Sequence, residues 1–372
     1  MLRSDSEFWF RYPVYNPAIS VLDAAADWGR DLFESTLDLE LVLAQPFRIA
    51  ALPIFYDRPG VWSHVPGLER LDFDRFDLVL FSDPEYHDLQ EVRAWLPTAK
   101  AVVATGGISQ LTAMDPDREV YRPYYIRDFI EQNTYQDTTA LEKCFRFEAL
   151  LGARRPHRDF VWKALHRSGL LDQNIVTYRS GFPGAIQDYL TDIVSARLGT
   201  DLQWPYVSPN LDPAWEVSAA VTNRDSRLSP IEIYRRTWYS IICETLFTGR
   251  NFFLSEKTIK AMFNRRVFVL FGPANYLAQL HEHGFETFRH SLDESYDQET
   301  RDPVRYEQVL QQIWRLAWLE DPIEIYNSMR SVLDHNHQRL FELELKRGRD
   351  QRDLLMRHIP NQHWHWPPVQ IS

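Results

Sequence analysis

Residues 253 to 273 read Phe-Leu-Ser-Glu-Lys-Thr-Ile-Lys-Ala-Met-Phe-Asn-Arg-Arg-Val-Phe-Val-Leu-Phe-Gly-Pro, and they leave the chain few choices. Ser255 is a good N-cap, and Glu256 then falls in a first helical turn, where the helix dipole favours an acid. Ala261, Met262 and Phe263 form a short apolar end, and Asn264 can take the left-handed conformation that stops a helix. Val267 to Phe271 is an unbroken β-branched and aromatic run, which predicts a strand buried on both faces. Gly272-Pro273 ends it, and the next helix is expected over Asn275 to His283, closed by Gly284. Helix, strand, glycine turn and helix make an α/β unit. They set Glu256 and Lys257 near the edge of a parallel sheet, where such proteins bind ligands.

The same grammar recurs along the chain. Phe47 to Phe55, Leu78 to Ser82 and Ala101 to Ala104 are short apolar runs ending in turn chemistry: Asp57-Arg58-Pro59-Gly60, Asp83-Pro84 and Thr105-Gly106-Gly107. A helix is expected from about Asn16 to Leu43, and residues 110 to 140 read as a polar, Tyr-rich crossing. A second unit then opens, with strands at Phe145 to Leu150, Asn174 to Tyr178 and Trp238 to Cys243, and a helix at His157 to Ser168. Ser229-Pro230-Ile231-Glu232 and Asp321-Pro322-Ile323-Glu324 are twin helix starts. Val304 to Leu319 and Pro322 to Leu345 carry apolar residues at helical spacing. The expected organisation is an α/β fold of two Rossmann-like domains with C-terminal helices. Residues 1–140 form the first domain, 141–345 the second, and 346–372 a tail.

With 372 residues, one core would not serve the whole chain. An apolar fraction of 44% with 14% aromatic is that of a globular protein. No segment approaches the roughly 18 apolar residues of a membrane span, and the first residues lack the apolar core of a signal peptide. Cys144 and Cys243 lie far apart, outside any disulfide framework. A cytoplasmic location is expected. A formal net charge of −11 weighs against a surface built to grip nucleic acid, although local basic clusters could still touch it.

The second cluster with chemical content is Gly152-Ala153-Arg154-Arg155-Pro156-His157-Arg158. It follows a strand and opens a helix, so backbone amides and the helix dipole face the sheet's ligand edge. Arginine binds phosphate in bidentate fashion, and this loop could hold a diphosphate. The plain alternative is a solvated surface loop. Glu256 and Lys257 have a plain alternative too, an exposed first-turn pair contributing a few tenths of a kcal/mol.

The 253–273 run resembles the donor-binding motif of the α1,3-fucosyltransferases at Glu256, Lys257, Ala261, Val267, Val269, Gly272 and Pro273. Glu244-Thr245 stands where that family has an upstream Glu-Asn, a partial match. Exostosin-type transferases have a related acidic motif. Phage-encoded glycosyltransferases are similar again, through Ser255 to Thr258, Gly284 to Phe288, Asp293 to Asp297 and the Arg155-to-Arg158 block. The resemblance covers about residues 145 to 300. It implies the two-domain architecture called GT-B, with the donor on the C-terminal half and the acceptor on the N-terminal half.

What the resemblance implies for residues follows from that. Arg154, Arg155, His157 and Arg158 would meet a nucleotide sugar's diphosphate, with Glu244, Ser255, Thr258 and Lys260 also on the donor side. Lys257 would neutralise the departing phosphate, and Glu256 would hold hydroxyls of the ribose or sugar. The acid-base residue for the acceptor hydroxyl would come from the N-terminal half, with Asp83 placed first and Asp57, Glu85 and His87 as alternatives. Asp293 to Asp297 could bind a hard cation, yet the resemblance implies no metal and no cofactor beyond the donor. The expected function is transfer of a hexose or pentose from a nucleotide sugar to a hydroxyl of a glycan, a small molecule or a modified DNA base. A transferase acting on hydroxylated bases of phage DNA and a non-catalytic nucleotide-sugar-binding protein are the alternatives.

Overall fold

The computed structural model describes residues 20–23, 34–36, 42, 44, 47–53, 72–83, 93, 101–109, 113–121, 123–138, 143–152, 155–178, 206–207, 209, 228–247, 249 and 251–360. The chain is an α/β protein of two compact units. One comprises residues 1–124, 251–253 and 344–372, the other residues 125–250 and 254–343.

The first unit is built on a six-stranded sheet. Its strands are β1 (Ser20–Asp23), β2 (Glu34–Thr36), β3 (Ile49–Pro53), β4 (Leu78–Asp83), β5 (Ala101–Thr105) and β7 (Glu119–Tyr121). They lie in the order β2-β1-β3-β4-β5-β7, and every pairing is parallel. Ile49, Ala51, Leu78, Leu80, Val102, Ala104 and Val120 pack with Leu354, Leu355 and Ile359 into one core. A short antiparallel ribbon joins β6 (Gly107–Ser109) to β12 (Asn251–Phe253).

Several expectations change here. Of the helix anticipated over Asn16 to Leu43, the described residues 20–23 and 34–36 are the strands β1 and β2, because Val21 to Asp23 pair with Ile49 to Ala51, a long-range contact that no local pattern displays; most of the remainder lies outside the described residues. The crossing expected at 110 to 140 holds β7 and helix α1 (Tyr124–Gln132). Residues 346 to 358 are not a tail, since they continue a long helix whose apolar residues complete the first unit's core. The end of the expected tail, including His363-Trp364-His365-Trp366-Pro367-Pro368, lies outside the described residues.

The second unit has the sheet order β10-β9-β8-β11-β13, made by β8 (Phe145–Leu150), β9 (Ile175–Tyr178), β10 (Tyr206–Val207), β11 (Thr237–Cys243) and β13 (Val267–Phe271). All pairings are parallel except β10 with β9. The helices are α2 (Pro156–Arg167), α3 (Ile231–Arg236), α4 (Glu256–Phe263), α5 (Tyr276–Glu282), α6 (Asp302–Ala317) and α7 (Pro322–Ser328), and α8 (Arg330–His358) belongs to both units. The helix expected over Pro322 to Leu345 is thus two helices that meet at Met329. Of the twin starts, Asp321 caps α7 through Ile323 N–H, whereas Pro230 takes the cap position of α3 without a side-chain bond. Asn264 keeps a negative φ, and Arg265 carries the left-handed turn at φ 52°.

The chain's path defines a switch point. From β8 the connection through α2 leads to β9 on one side, while β11 and β13 lie on the other. The carboxyl ends of β8 and β11 are therefore the position at which open parallel sheets in general accept a ligand.

Three neighbouring strands are locked together by a buried ion pair. Arg266, 1% exposed, reaches Glu148 at 2.8 Å, the Thr237 hydroxyl at 2.8 Å and the carbonyls of Thr237 and Tyr234 at 2.7 and 3.1 Å. Glu148 in turn accepts from the hydroxyls of Thr237 and Ser240. A buried charge whose hydrogen bonds are this complete is tolerated, but removing one partner strands the other. Arg266→Met should lower stability by about 3–5 kcal/mol, read as a lower urea midpoint at unchanged slope; a variant as stable as the parent would show that the pair does not lock the sheet.

Candidate functional site

Beyond β8 the chain turns at Gly152, whose φ of +65° suits glycine, and enters α2 at Arg155 and Pro156. No side chain caps this helix. Its first turn is instead bolted to the end of β11. His157 donates from Nε2 to the Glu244 carbonyl at 2.8 Å, which fixes its tautomer, and its ring stacks on Phe247 with centroids 5.6 Å apart. Arg158 donates to the carbonyls of Cys243 and Glu244 at 3.4 and 3.3 Å. The Tyr178 hydroxyl donates to Asp159 and holds the same turn against β9.

Glu244 joins the remaining parts. Its backbone N–H donates to Phe271 of β13 at 2.9 Å. Its carboxylate accepts from the Thr258 hydroxyl, from Tyr276 OH at 3.1 Å and from Thr245 N–H at 3.2 Å. Tyr276 can come this close because residue 272 is glycine: a β-carbon there would lie 2.6 Å from Leu270 and 3.2 Å from the Tyr276 ring. Arg305, almost fully buried, clamps the same edge by donating to the carbonyls of Phe247, Gly272 and Glu299 at 2.8, 3.3 and 2.7 Å.

Ser255 caps α4 as its sequence implies, accepting from Lys257 N–H at 3.2 Å. Glu256 and Lys257 therefore occupy the first two helical positions. The Lys257 ammonium meets Glu256 at 2.6 Å and the Thr245 hydroxyl at 3.5 Å. Burial alone would raise the Glu256 carboxyl, but the charge and hydrogen bond of Lys257 outweigh it and hold the group below its usual range. Burial, reinforced by the charges of Arg158, Arg155 and Lys257, keeps His157 neutral well below its ordinary value. Burial and the neighbouring Arg155 lower Arg158 to about 10, and burial pushes the Cys243 thiol up to about 12.

These residues converge on one edge of the second unit. Arg155, His157, Arg158, Glu244, Glu256 and Lys257 are within bonding or electrostatic reach of one another. Such a setting, cations at a helix start beside the ends of parallel strands, suits an anion with several oxygens. Ser255 and Thr258 are fully buried and committed to the cap and to Glu244, so their hydroxyls serve the fold. Lys260 sits in the last turn of α4 and acts on Glu256 through its charge. Arg154, Asp57, Glu85 and His87 lie outside the described residues, as does the side chain of Asp83, whose backbone ends β4 in the first unit.

The acidic run 293–297 has a different task. Asp297 accepts from Leu277 and Ala278 N–H at 2.8 and 3.1 Å and so caps α5, whose own cap residue, Asn275, makes no side-chain capping bond. Glu294 accepts from the Thr287 hydroxyl at 2.6 Å and Phe288 N–H at 2.8 Å, and burial raises its carboxyl to about 7. Asp293 accepts from Ser295 N–H at 3.0 Å. Among the described residues, no group of three or more His, Cys, Asp or Glu is arranged to hold a metal ion, and no helix is long and apolar enough to cross a membrane.

Phe247, Tyr276, Gly272 and Arg305 also shape the edge, and sequence reading does not single out their roles. Only the glycine, placed four residues before a tyrosine at a helix start, hints at the close approach.

No protein-family model matches the chain, and no curated protein does. Two solved structures are similar to it at 11% identity over 91% of its length. One is the DNA-modifying enzyme β-glucosyltransferase, studied with and without its substrate uridine diphosphoglucose (TM-score 0.41, 98% of that chain). The other is the T4 phage β-glucosyltransferase in complex with UDP and Mn2+ (TM-score 0.37, 99% of that chain).

Gly272→Ala should cost about 1–3 kcal/mol by overpacking against Leu270 and Tyr276. Urea unfolding measures this, and an unchanged midpoint would mean that Tyr276 does not need the glycine to reach Glu244.

Proposed function

We propose that this chain is a glycosyltransferase that moves a sugar from a nucleotide-sugar donor to a hydroxyl acceptor. The second unit would bind the donor and the first the acceptor. One observation carries the reading: Arg155, Arg158 and Lys257 gather beside an uncapped helix start at the switch point between β8 and β11. A diphosphate is the anion common to all nucleotide sugars, and this edge offers it backbone amides, a helix dipole and charged donors.

Breaking a glycosyl phosphate leaves negative charge on the departing nucleoside diphosphate. Cations fixed in place before the bond breaks stabilise that charge most in the transition state. In this reading Arg155 and Lys257 supply it directly. Arg158, with one nitrogen on the carbonyls of Cys243 and Glu244, orients the strand end and adds its charge. Neutral His157 contributes a fixed ring and no competing proton load. The acceptor's proton would go to a carboxylate of the first unit, for which Asp83 at the end of β4 is the first candidate. The donor is its own activated group, so no further cofactor enters the proposal. The site of action is the cytoplasm, and the sugar is a hexose or a pentose.

Calorimetric titration with nucleoside diphosphates tests the donor site. Arg155→Ala should weaken nucleotide affinity about ten- to a hundredfold, the scale of one charge-assisted hydrogen bond or two. If the parent protein binds no nucleoside diphosphate, the assignment of this edge is lost. Once a donor is found, Lys257→Ala should lower turnover by about a hundredfold or more, measured on the folded fraction of the variant. Turnover near that of the parent would remove Lys257 from the reaction.

A further inference from the structure

Lys257 stands at the second position of α4, where a positive charge meets the positive end of the helix dipole. The helix gains nothing from a lysine there. Adjacent residues on a helix do not normally face one another, yet the Lys257 ammonium folds back onto Glu256 at 2.6 Å. The pair is mostly buried, with side chains 20% and 17% exposed. Its other contact, the Thr245 hydroxyl at 3.5 Å, is at the limit of a hydrogen bond.

The two carboxylates of this edge differ in what they hold. The Glu244 oxygens accept from Thr258, Tyr276 and Thr245. Glu256 pairs with Lys257 and also acts on Arg158 through its charge. The two kinds of cation differ as well. Arg158 is oriented by strand-end carbonyls, whereas a lysine ammonium is a compact point charge on a rotatable four-carbon stem. Only the latter can change partners without disturbing the backbone.

We propose that Glu256 is the resident counter-ion of Lys257, and that an entering diphosphate displaces it. The ammonium passes from the carboxylate to a phosphate oxygen. Glu256 then holds a cation-rich edge together while it is empty and competes with the anion that fills it. This rests on the donor-site reading above, and it adds a statement that the reading does not contain: removing the carboxylate tightens diphosphate binding.

The probe is inorganic diphosphate, titrated by calorimetry into the full-length protein and its variants. Glu256→Gln keeps the side chain's size and should bind about three- to tenfold more tightly than the parent, as expected for loss of a competing ion pair. Lys257→Met should bind more weakly than the parent. In the double variant the gain from Glu256→Gln should vanish, because coupled residues are non-additive. Equal or weaker binding by Glu256→Gln overturns the proposal. A gain that persists in the Lys257→Met background also overturns it, since the carboxylate would then act by general repulsion. If the glutamine form does not fold, Glu256→Ala is read in its place against the same criteria. A parent protein that binds no diphosphate fails the donor-site reading itself, an outcome distinct from parent binding without a gain in the variant.

Discussion

The Glu244 peptide and side chain hold five elements in one arrangement. The backbone ties β11 to β13, the carbonyl receives the first turn of α2 through His157 and Arg158, and the carboxylate receives α4 and α5 through Thr258 and Tyr276. A parallel sheet ends in strands whose last carbonyls need donors, and buried donors and acceptors are costly when unmade. Here the donors come from the helix starts that crowd the same edge. The edge is thereby fixed before any ligand arrives, which is the condition for electrostatic stabilisation without reorganisation.

The cost of that arrangement is the mutual repulsion of Arg155, Arg158 and Lys257. The edge limits it in distinct ways. His157 stays neutral, so a further positive charge is withheld. Arg158 lies over strand-end carbonyls, whose partial negative charge faces its guanidinium. Glu256 neutralises Lys257 directly. At another part of the same sheet, Arg266 and Glu148 make a closed pair with every neighbour engaged. The contrast is between a complete network that ties strands together and an ion pair whose ammonium has as its other side-chain contact the Thr245 hydroxyl at 3.5 Å.

Much of the second unit was legible because its signals are local. Val267 to Phe271 announces a buried strand by composition alone, and Ser255 and Gly284 mark helix ends where the structure has them. The strands at Phe145 and Ile175 and the helix between them follow the same grammar. Illegible features depend on distant partners. β1 exists through its pairing with β3, and residues 346 to 358 are helical where their apolar face completes a core made some 250 residues earlier in the chain. The candidate edge divides in the same way. Arg155, Arg158, Glu256 and Lys257 could be picked out by type and spacing, but the inward commitment of Glu244 and Thr258 to one another could not. Whether a polar residue faces a ligand or a neighbour is set by tertiary packing.

The acidic run at 293–297 is tied into the fold. Each of its three carboxylates accepts from backbone or hydroxyl donors. Asp297 is the most telling. Helix α5 begins at Asn275 in a left-handed conformation, φ 63°, which leaves its first N–H groups without a local side-chain cap. A carboxylate twenty residues on supplies the missing acceptor at the dipole's positive end. That borrowed cap holds α5 in place, and with it Tyr276, whose hydroxyl is one of the donors on Glu244. The acids of this segment thus act on the candidate edge at one remove, by fixing the helix that helps fix the strand end.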